Sequence, residues 1–175
     1  MMTNPPLNVP RLIVLIGPPG SGKTTWARTH GHGAVHVSQD DLIDAITPHG
    51  FEHIYRPMYA EAEDAVARAA LKAGHTVIVD RTNRTRAHRE RWLQISREAA
   101  CPAIAVVMTA SKEICLARNA ARQDHRLVSE ERMERMFAAM EPVQPGEGFL
   151  AILHDTATME EIKEQLSHEH CHQTR

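Results

Sequence analysis

The chain lacks any apolar run long enough to cross a membrane. Its longest such stretches, residues 12–16 and 103–108, fall far short of the roughly twenty residues a spanning helix needs. Residues 1–10 are polar and proline-containing, without the basic start and apolar stretch of a signal peptide. Cysteine is scarce: Cys101, Cys115 and Cys171 are odd in number, and their spacing matches neither a metal motif nor a disulfide framework. A reduced, cytoplasmic setting is therefore expected. A large charge of either sign is missing too. The formal net charge is −2, so any nucleic-acid binding has to come from a local basic patch. Internal repeats and an interdomain linker are also absent. With 175 residues, 42% of them hydrophobic, the chain is long enough for one packed core and too short for two. A single domain over residues 11–166 is expected, with flexible ends at 1–10 and 167–175.

What is present is an alternation of two kinds of segment. Short apolar, β-branched runs occupy residues 11–16, 34–37, 76–79, 103–108 and 149–153. Helical spacing fills residues 23–29, 39–46, 55–73, 86–99, 112–122 and 130–140 between them, and an amphipathic helix is expected at 159–166. Strands alternating with helices predict an α/β fold, a parallel sheet of about five strands flanked by helices. Parallel strands are buried on both faces, which suits near-continuous apolar runs. Gly74 is placed to end a helix and Ser129 to begin one, while residues 141–148 carry the prolines and glycines of a loop.

The first strand runs into Gly17-Pro18-Pro19-Gly20-Ser21-Gly22-Lys23-Thr24, with Thr25 next and a helical pattern following. This is the phosphate-loop pattern G-x-x-x-x-G-K-T in the strand–loop–helix context it requires. Its glycines let successive backbone N–H groups turn toward phosphate oxygens, and the helix behind adds its positive N-terminal end. Lys23 is placed for the β- and γ-phosphates of ATP, and the Thr24 hydroxyl for Mg²⁺. The loop alone serves GTPases, motor ATPases and kinases alike. No Asn-Lys-x-Asp run for guanine recognition occurs anywhere, which argues against a switch GTPase.

The second strand ends in Ser38-Gln39-Asp40-Asp41, where parallel sheets gather functional groups. Asp40 is a candidate general base for an attacking hydroxyl; helix capping by Ser38 or Asp40 explains the same residues equally well. The third strand ends in Asp80-Arg81-Thr82-Asn83, an apolar-then-Asp pattern that can organise Mg²⁺. From Arg81 to Arg97 there are six arginines and one glutamate. Most of that run suits a solvated helix face, whereas Arg81, Arg84 and Arg86, near the strand end, could meet phosphates, and Trp92 beside Arg91 offers an aromatic for stacking. Arg118 and Arg122, four apart, share a helix face ahead of a break and another helix, the layout of a lid over a triphosphate. Arg126 follows them. His168, His170 and His172 around Cys171 suit a polar tail better than a metal site.

Taken together, residues 12–153 resemble the kinase domain of polynucleotide 5′-hydroxyl kinases of the phage and bacterial end-healing type. The carrying segments are the phosphate loop, Val37-Ser38-Gln39-Asp40-Asp41, Val79-Asp80-Arg81-Thr82-Asn83, Cys115-Leu116-Ala117-Arg118-Asn119 with Arg122, and Glu147-Gly148-Phe149. The resemblance implies a P-loop fold with a helical lid at about residues 112–140. It implies ATP and Mg²⁺ at Lys23 and Thr24, Asp40 activating the acceptor hydroxyl, Arg122 stabilising the transferring phosphate and Arg118 supporting the lid. Asp41, Ile43, Asp80, Thr82, Asn83 and Arg84 fall on the acceptor side, and the acceptor is expected to be DNA or RNA in a bacterial or phage-infected cytoplasm. The family carries an arginine three residues after its base, where this chain has Ile43. An apolar residue there also suits a related subset of phage kinases that phosphorylate a hydroxymethyl group on a base within DNA. A small-molecule kinase and a nucleotide-dependent switch module are the further alternatives.

Overall fold

A computed structural model of the chain describes residues 10–47, 49–122 and 126–162. Five strands, β1 (Leu12–Ile16), β2 (Val35–Ser38), β3 (Val77–Asp80), β4 (Ala103–Val107) and β5 (Ala151–His154), form one sheet in the order β2-β3-β1-β4-β5. Every pairing is parallel. The helices are α1 (Lys23–His30), α2 (Gln39–Ile46), α3 (Arg56–Lys72), α4 (Arg86–Glu98), α5 (Lys112–Ala120) and α6 (Glu130–Ala138). Short 3₁₀ turns occur at His53–Tyr55 and Pro145–Glu147.

The strands are apolar throughout because both faces of the sheet are covered. Side chains alternate along a strand, so Leu12, Val14 and Ile16 join Val77, Val79, Ala103 and Ala105 on one face. That face is closed by α3 through Ala67, Ala70 and Leu71 and by α4 through Trp92, Leu93 and Ile95. Ile13, Leu15, Ile78, Ile104 and Val106 face the other way and meet Trp26 and Ala27 of α1 and Ile162. Two layers of helix around a central β1 leave the carboxyl ends of β1, β2 and β3 side by side, which is where open parallel sheets bind ligands.

Element ends follow local chemistry. Ser38, Thr85, Ser111 and Ser129 each accept a backbone N–H through the side-chain oxygen at a helix start. Ser38, not Asp40, caps α2, and this leaves the Asp40 carboxylate uncommitted to capping. Gly74 has φ +85°, and the Gly74 and His75 N–H groups close back on Leu71 and Ala70 to end α3. The helix expected at residues 159–166 begins at 159; its remainder, and the histidine-rich tail with Cys171, lie outside the described residues. No helix among the described residues is long and apolar enough to cross a membrane.

Candidate functional site

The loop after β1 is shaped by two glycines with positive φ. Gly20 (φ +80°) approaches α5 so closely that a Cβ there would stand 2.4 Å from the Cys115 carbonyl oxygen. Gly22 (φ +102°) caps α1 with no side chain of its own, and a Cβ there would point toward the Arg118 guanidinium. The loop is tied to the third strand end by Gly17 N–H donating to the Thr82 carbonyl (3.1 Å). Above it opens a cleft of about 550 Å³, within the range of ligand-binding cavities. Gly20, Ser21, Gly22, Lys23, Thr24 and Thr25 line its floor, with Arg118 and Arg122 among its other walls. Pro18 and Pro19 shape the start of the loop, the Pro18 carbonyl accepting from Ser21 N–H (3.2 Å) and Lys23 Nζ (2.8 Å).

Lys23 is buried, and its pKa is lowered to about 8. Burial is the main cause, Asp80 pulls the other way, and Arg122 adds to the lowering. A desolvated ammonium held only by loop oxygens is a site waiting for an anion. Thr24 Oγ1 donates to Asp80 Oδ2 at 2.6 Å, and His36 Nε2 lies 3.2 Å from the same oxygen. Burial alone would raise the Asp80 pKa, but these hydrogen bonds and the Lys23 charge outweigh it and hold it below the usual carboxylate range. An ionised Asp80 accepts only, so His36 carries its proton on Nε2. His36 has no motif around it, and only its register opposite Ile78, two residues before Asp80, could have signalled this. A hydroxyl beside an ionised carboxylate is the hard-oxygen pair that Mg²⁺ prefers, so Thr24 and Asp80 fit the ion.

Asp40 opens α2 at the end of β2. It keeps solvent contact, yet partial burial is the main cause of a raised pKa, which Arg126 and Arg122 oppose and Asp80 and Asp41 reinforce. Lys23, Asp80, Asp40 and Arg122 thus lie close enough to perturb one another's charge. Neighbouring Asp41 accepts from Arg126 (3.0 Å), which also pairs with Asp44, so the segment after α5 is strapped to α2.

The segment expected as a lid comprises α5 and α6. Asn119, buried, donates to the Val128 carbonyl (2.7 Å) and accepts from Val128 N–H (3.1 Å), pinning the connection. Lys112 pairs with Glu134 across the two helices (2.6 Å). Arg118 reaches the Gly20 carbonyl at 3.4 Å. Arg122 does not share a helix face with it, because α5 ends at Ala120; a turn closed by Arg122 N–H on Asn119 returns it to the cleft, where it donates to the Arg126 carbonyl (2.9 Å).

Further expectations need correction. Ile43 is only 7% exposed and presents no surface to an acceptor. Asn83 is buried at φ +44°, its amide donating to the Leu15 carbonyl (2.7 Å) and accepting from Trp92 Nε1 (3.0 Å). Its side chain therefore locks β1 to α4 and is too buried to reach an acceptor. Trp92 is in the core, so it cannot stack on a ligand; Arg91 lies over its ring (4.5 Å) and pairs with Glu63 and Asp64. The arginine run is also less solvated than its composition implies. Arg89 is fully buried, held by both oxygens of Glu147 (2.6 and 2.7 Å) and by the Asn83 and Glu141 carbonyls. Arg81 pairs with Glu63 (2.8 Å). Thr82 serves through its carbonyl, and Arg84 stands partly buried with an unpartnered Nε.

A phosphate loop at the end of β1, a carboxylate holding its threonine and arginines over the cleft define a nucleotide-binding P-loop domain of the kinase type. The chain belongs to the AAA domain family AAA_33, whose model matches residues 12–143. It is 27% identical over 116 residues to the bifunctional polynucleotide phosphatase/kinase of Schizosaccharomyces pombe, covering 65% of this chain. It spans only 25% of that relative's length. Its fold matches a chain of the Pnkp1/Rnl/Hen1 RNA repair complex (TM-score 0.66, 24% identity, 75% of this chain and 44% of that one). It also matches a sugar kinase from Janibacter sp. HTCC2649 (TM-score 0.61, 20% identity, 90% and 92%).

Proposed function

We propose that this chain is an ATP-dependent kinase that transfers the γ-phosphate to a hydroxyl group of a nucleic acid. The observation that carries the reading is Asp40: a carboxylate of raised pKa at the start of α2, spared from capping by Ser38 and within electrostatic reach of Lys23, Asp80 and Arg122. A donor site alone would need no such group. The similarity to a polynucleotide phosphatase/kinase supports a nucleic-acid acceptor.

In this reading the loop N–H groups and Lys23 hold the β- and γ-phosphates of ATP. Thr24 and Asp80 would hold Mg²⁺, whose charge would offset that of the phosphates. Asp40 takes the proton from the acceptor hydroxyl as its oxygen attacks the γ-phosphorus, and ADP leaves. Arg122, with Arg118 behind it, faces the charge that develops on the transferring group. Partial burial favours this base, since a carboxylate with raised pKa binds the incoming proton more readily.

The test is transfer of labelled γ-phosphate in the presence of Mg²⁺ to three acceptors: a 5′-hydroxyl oligonucleotide, a duplex containing 5-hydroxymethyluracil, and a hexose. Label on the oligonucleotide is the expected result. Label on the hexose alone would install the small-molecule reading, which the sugar-kinase fold match and the near-neutral charge support. Label on the modified duplex alone would assign the base hydroxymethyl group. ATP hydrolysis with no labelled acceptor would leave a switch module.

A further inference from the structure

Five of the eight large hydrophobic side chains exposed among the described residues fall within thirteen positions: Ile46, Phe51, Ile54, Tyr55 and Met58. Ile54 is 77% exposed, Phe51 45% and Tyr55 40%. Nothing in the core accounts for them, and a concentrated apolar patch of this kind marks a binding surface. The patch spans the end of α2, the 3₁₀ turn and the start of α3. It therefore adjoins the helix that Asp40 opens.

The two exposed rings are held in place. Tyr59, fully buried, shares a hydrogen bond with Thr47 (2.8 Å) and accepts one from Glu52 N–H (3.4 Å). Phe51 and Tyr55 both rest on it, with ring centroids 5.6 and 6.4 Å away. An exposed ring braced by a buried one loses little freedom when a ligand covers it.

Cations converge on the same edge. Arg56, exposed, follows Tyr55 directly and begins α3. Arg81 and Arg84 follow β3, the strand beside β2. His88 reports their convergence: partial burial, then Arg84, Arg81 and Arg56 in turn, lower its pKa. Arg81 in turn is influenced by both Arg56 and Asp40. Braced aromatic rings next to arginines are what a flexible polyanion with planar bases requires. A purely apolar protein partner would leave Arg56 and Arg84 unmatched.

We propose that the surface carrying Phe51, Tyr55 and Arg56 binds unpaired bases and backbone phosphate of a single-stranded acceptor. This rests on the nucleic-acid kinase reading and adds to it the form of the acceptor. The experiment uses the full chain, a fluorescent single-stranded thymidine 12-mer with a free 5′-hydroxyl, and a blunt duplex of the same length. Strand affinity is read by anisotropy at several salt concentrations, alongside label transfer from ATP. Phe51→Ala and Tyr55→Ala should each weaken strand binding by about 5- to 150-fold, the span of a lost base–ring stack, with ATP affinity unchanged. Tyr55→Trp should keep binding within a few-fold. Arg56→Gln should flatten the salt dependence by about one released counterion. The duplex should bind more weakly than the strand.

If the wild-type chain labels the 12-mer and the alanine variants match it in strand affinity, the platform is wrong and the kinase reading stands. Should the variants lose strand binding while no acceptor is ever labelled, the platform stands and the kinase reading falls. Loss of ATP affinity in both alanine variants together with strand affinity would mark a folding defect and overturn the assignment, as would variants that change only self-association.

Discussion

Replacing Lys23 with methionine should make the nucleotide-free protein more stable while destroying its ability to bind ATP. The reasoning starts from burial. In the unfolded chain the ammonium titrates near 10.5, whereas in the folded protein its pKa is about 8. A gap of about 2.5 units corresponds to about 3 kcal/mol by which folding disfavours the charged form. The unfolded chain binds more protons than the folded one between those two values, so stability from this group rises as pH climbs from about 8 to about 10.5. Below pH 8 the full cost is present. Methionine removes the charge but also the bond to the Pro18 carbonyl (2.8 Å), which returns about 1 kcal/mol. The net gain expected at pH 7 is therefore about 1–3 kcal/mol, or roughly 2–12 °C in Tm for a chain of this size. The assay is thermal or urea unfolding of both proteins from pH 6 to 10.5. Their difference should be largest below pH 8, should shrink as the lysine deprotonates, and should then slightly favour the wild type, which keeps its bond to Pro18. A phosphate ligand restores the charge, so ATP binding at a pH above about 8 should draw in a fraction of a proton, measurable by calorimetry in buffers of different ionisation enthalpy. A variant less stable than wild type at pH 7, or a stability gap that does not move with pH, would refute the claim that Lys23 is held as a strained cation for the nucleotide.

Two further outcomes follow from the packing. Glu147→Ala leaves the Arg89 guanidinium buried without its carboxylate, and should cost about 3–5 kcal/mol, or roughly 6–20 °C in Tm, in thermal unfolding. Gly20→Ala meets both a positive φ and the Cys115 carbonyl oxygen, so it should lower ATP affinity by about tenfold or more, whereas Gly33→Ala, at a similar φ (+81°) with open space around it, should cost stability alone.

The fold was legible because it depends on short-range pattern. Alternating apolar runs and helical spacings place all five strands within a few residues, and Gly74 and Ser129 mark ends where they were expected. The donor half was legible for the same reason, since a phosphate loop is eight consecutive residues in one strand–loop–helix unit. Most of the misreadings involve partners distant in the chain. Arg89 and Glu147 are 58 positions apart, and Arg91 and Glu63 are 28 apart. A run of arginines carries no local sign that half its members face inward toward such carboxylates. Asn83 looked like a loop residue awaiting a substrate because its two bonds, to Leu15 and Trp92, exist only once β1 and α4 are packed. His36 escaped notice for the same reason, since it gains a role only opposite Asp80, and Arg126, grouped with the lid arginines by sequence, pairs with α2 only once the chain is folded.

The Asp40→Asn variant tests the central claim most directly. Asparagine keeps the shape at the start of α2 and removes the proton acceptor. Single-turnover transfer of labelled γ-phosphate to a 5′-hydroxyl oligonucleotide should fall by about 10²- to 10⁴-fold, while the Kd for ATP stays within about twofold, the scatter of a non-contacting change. In the wild-type protein the transfer rate should also decline as pH falls through the raised Asp40 pKa. Transfer by Asp40→Asn at the wild-type rate would contradict the account.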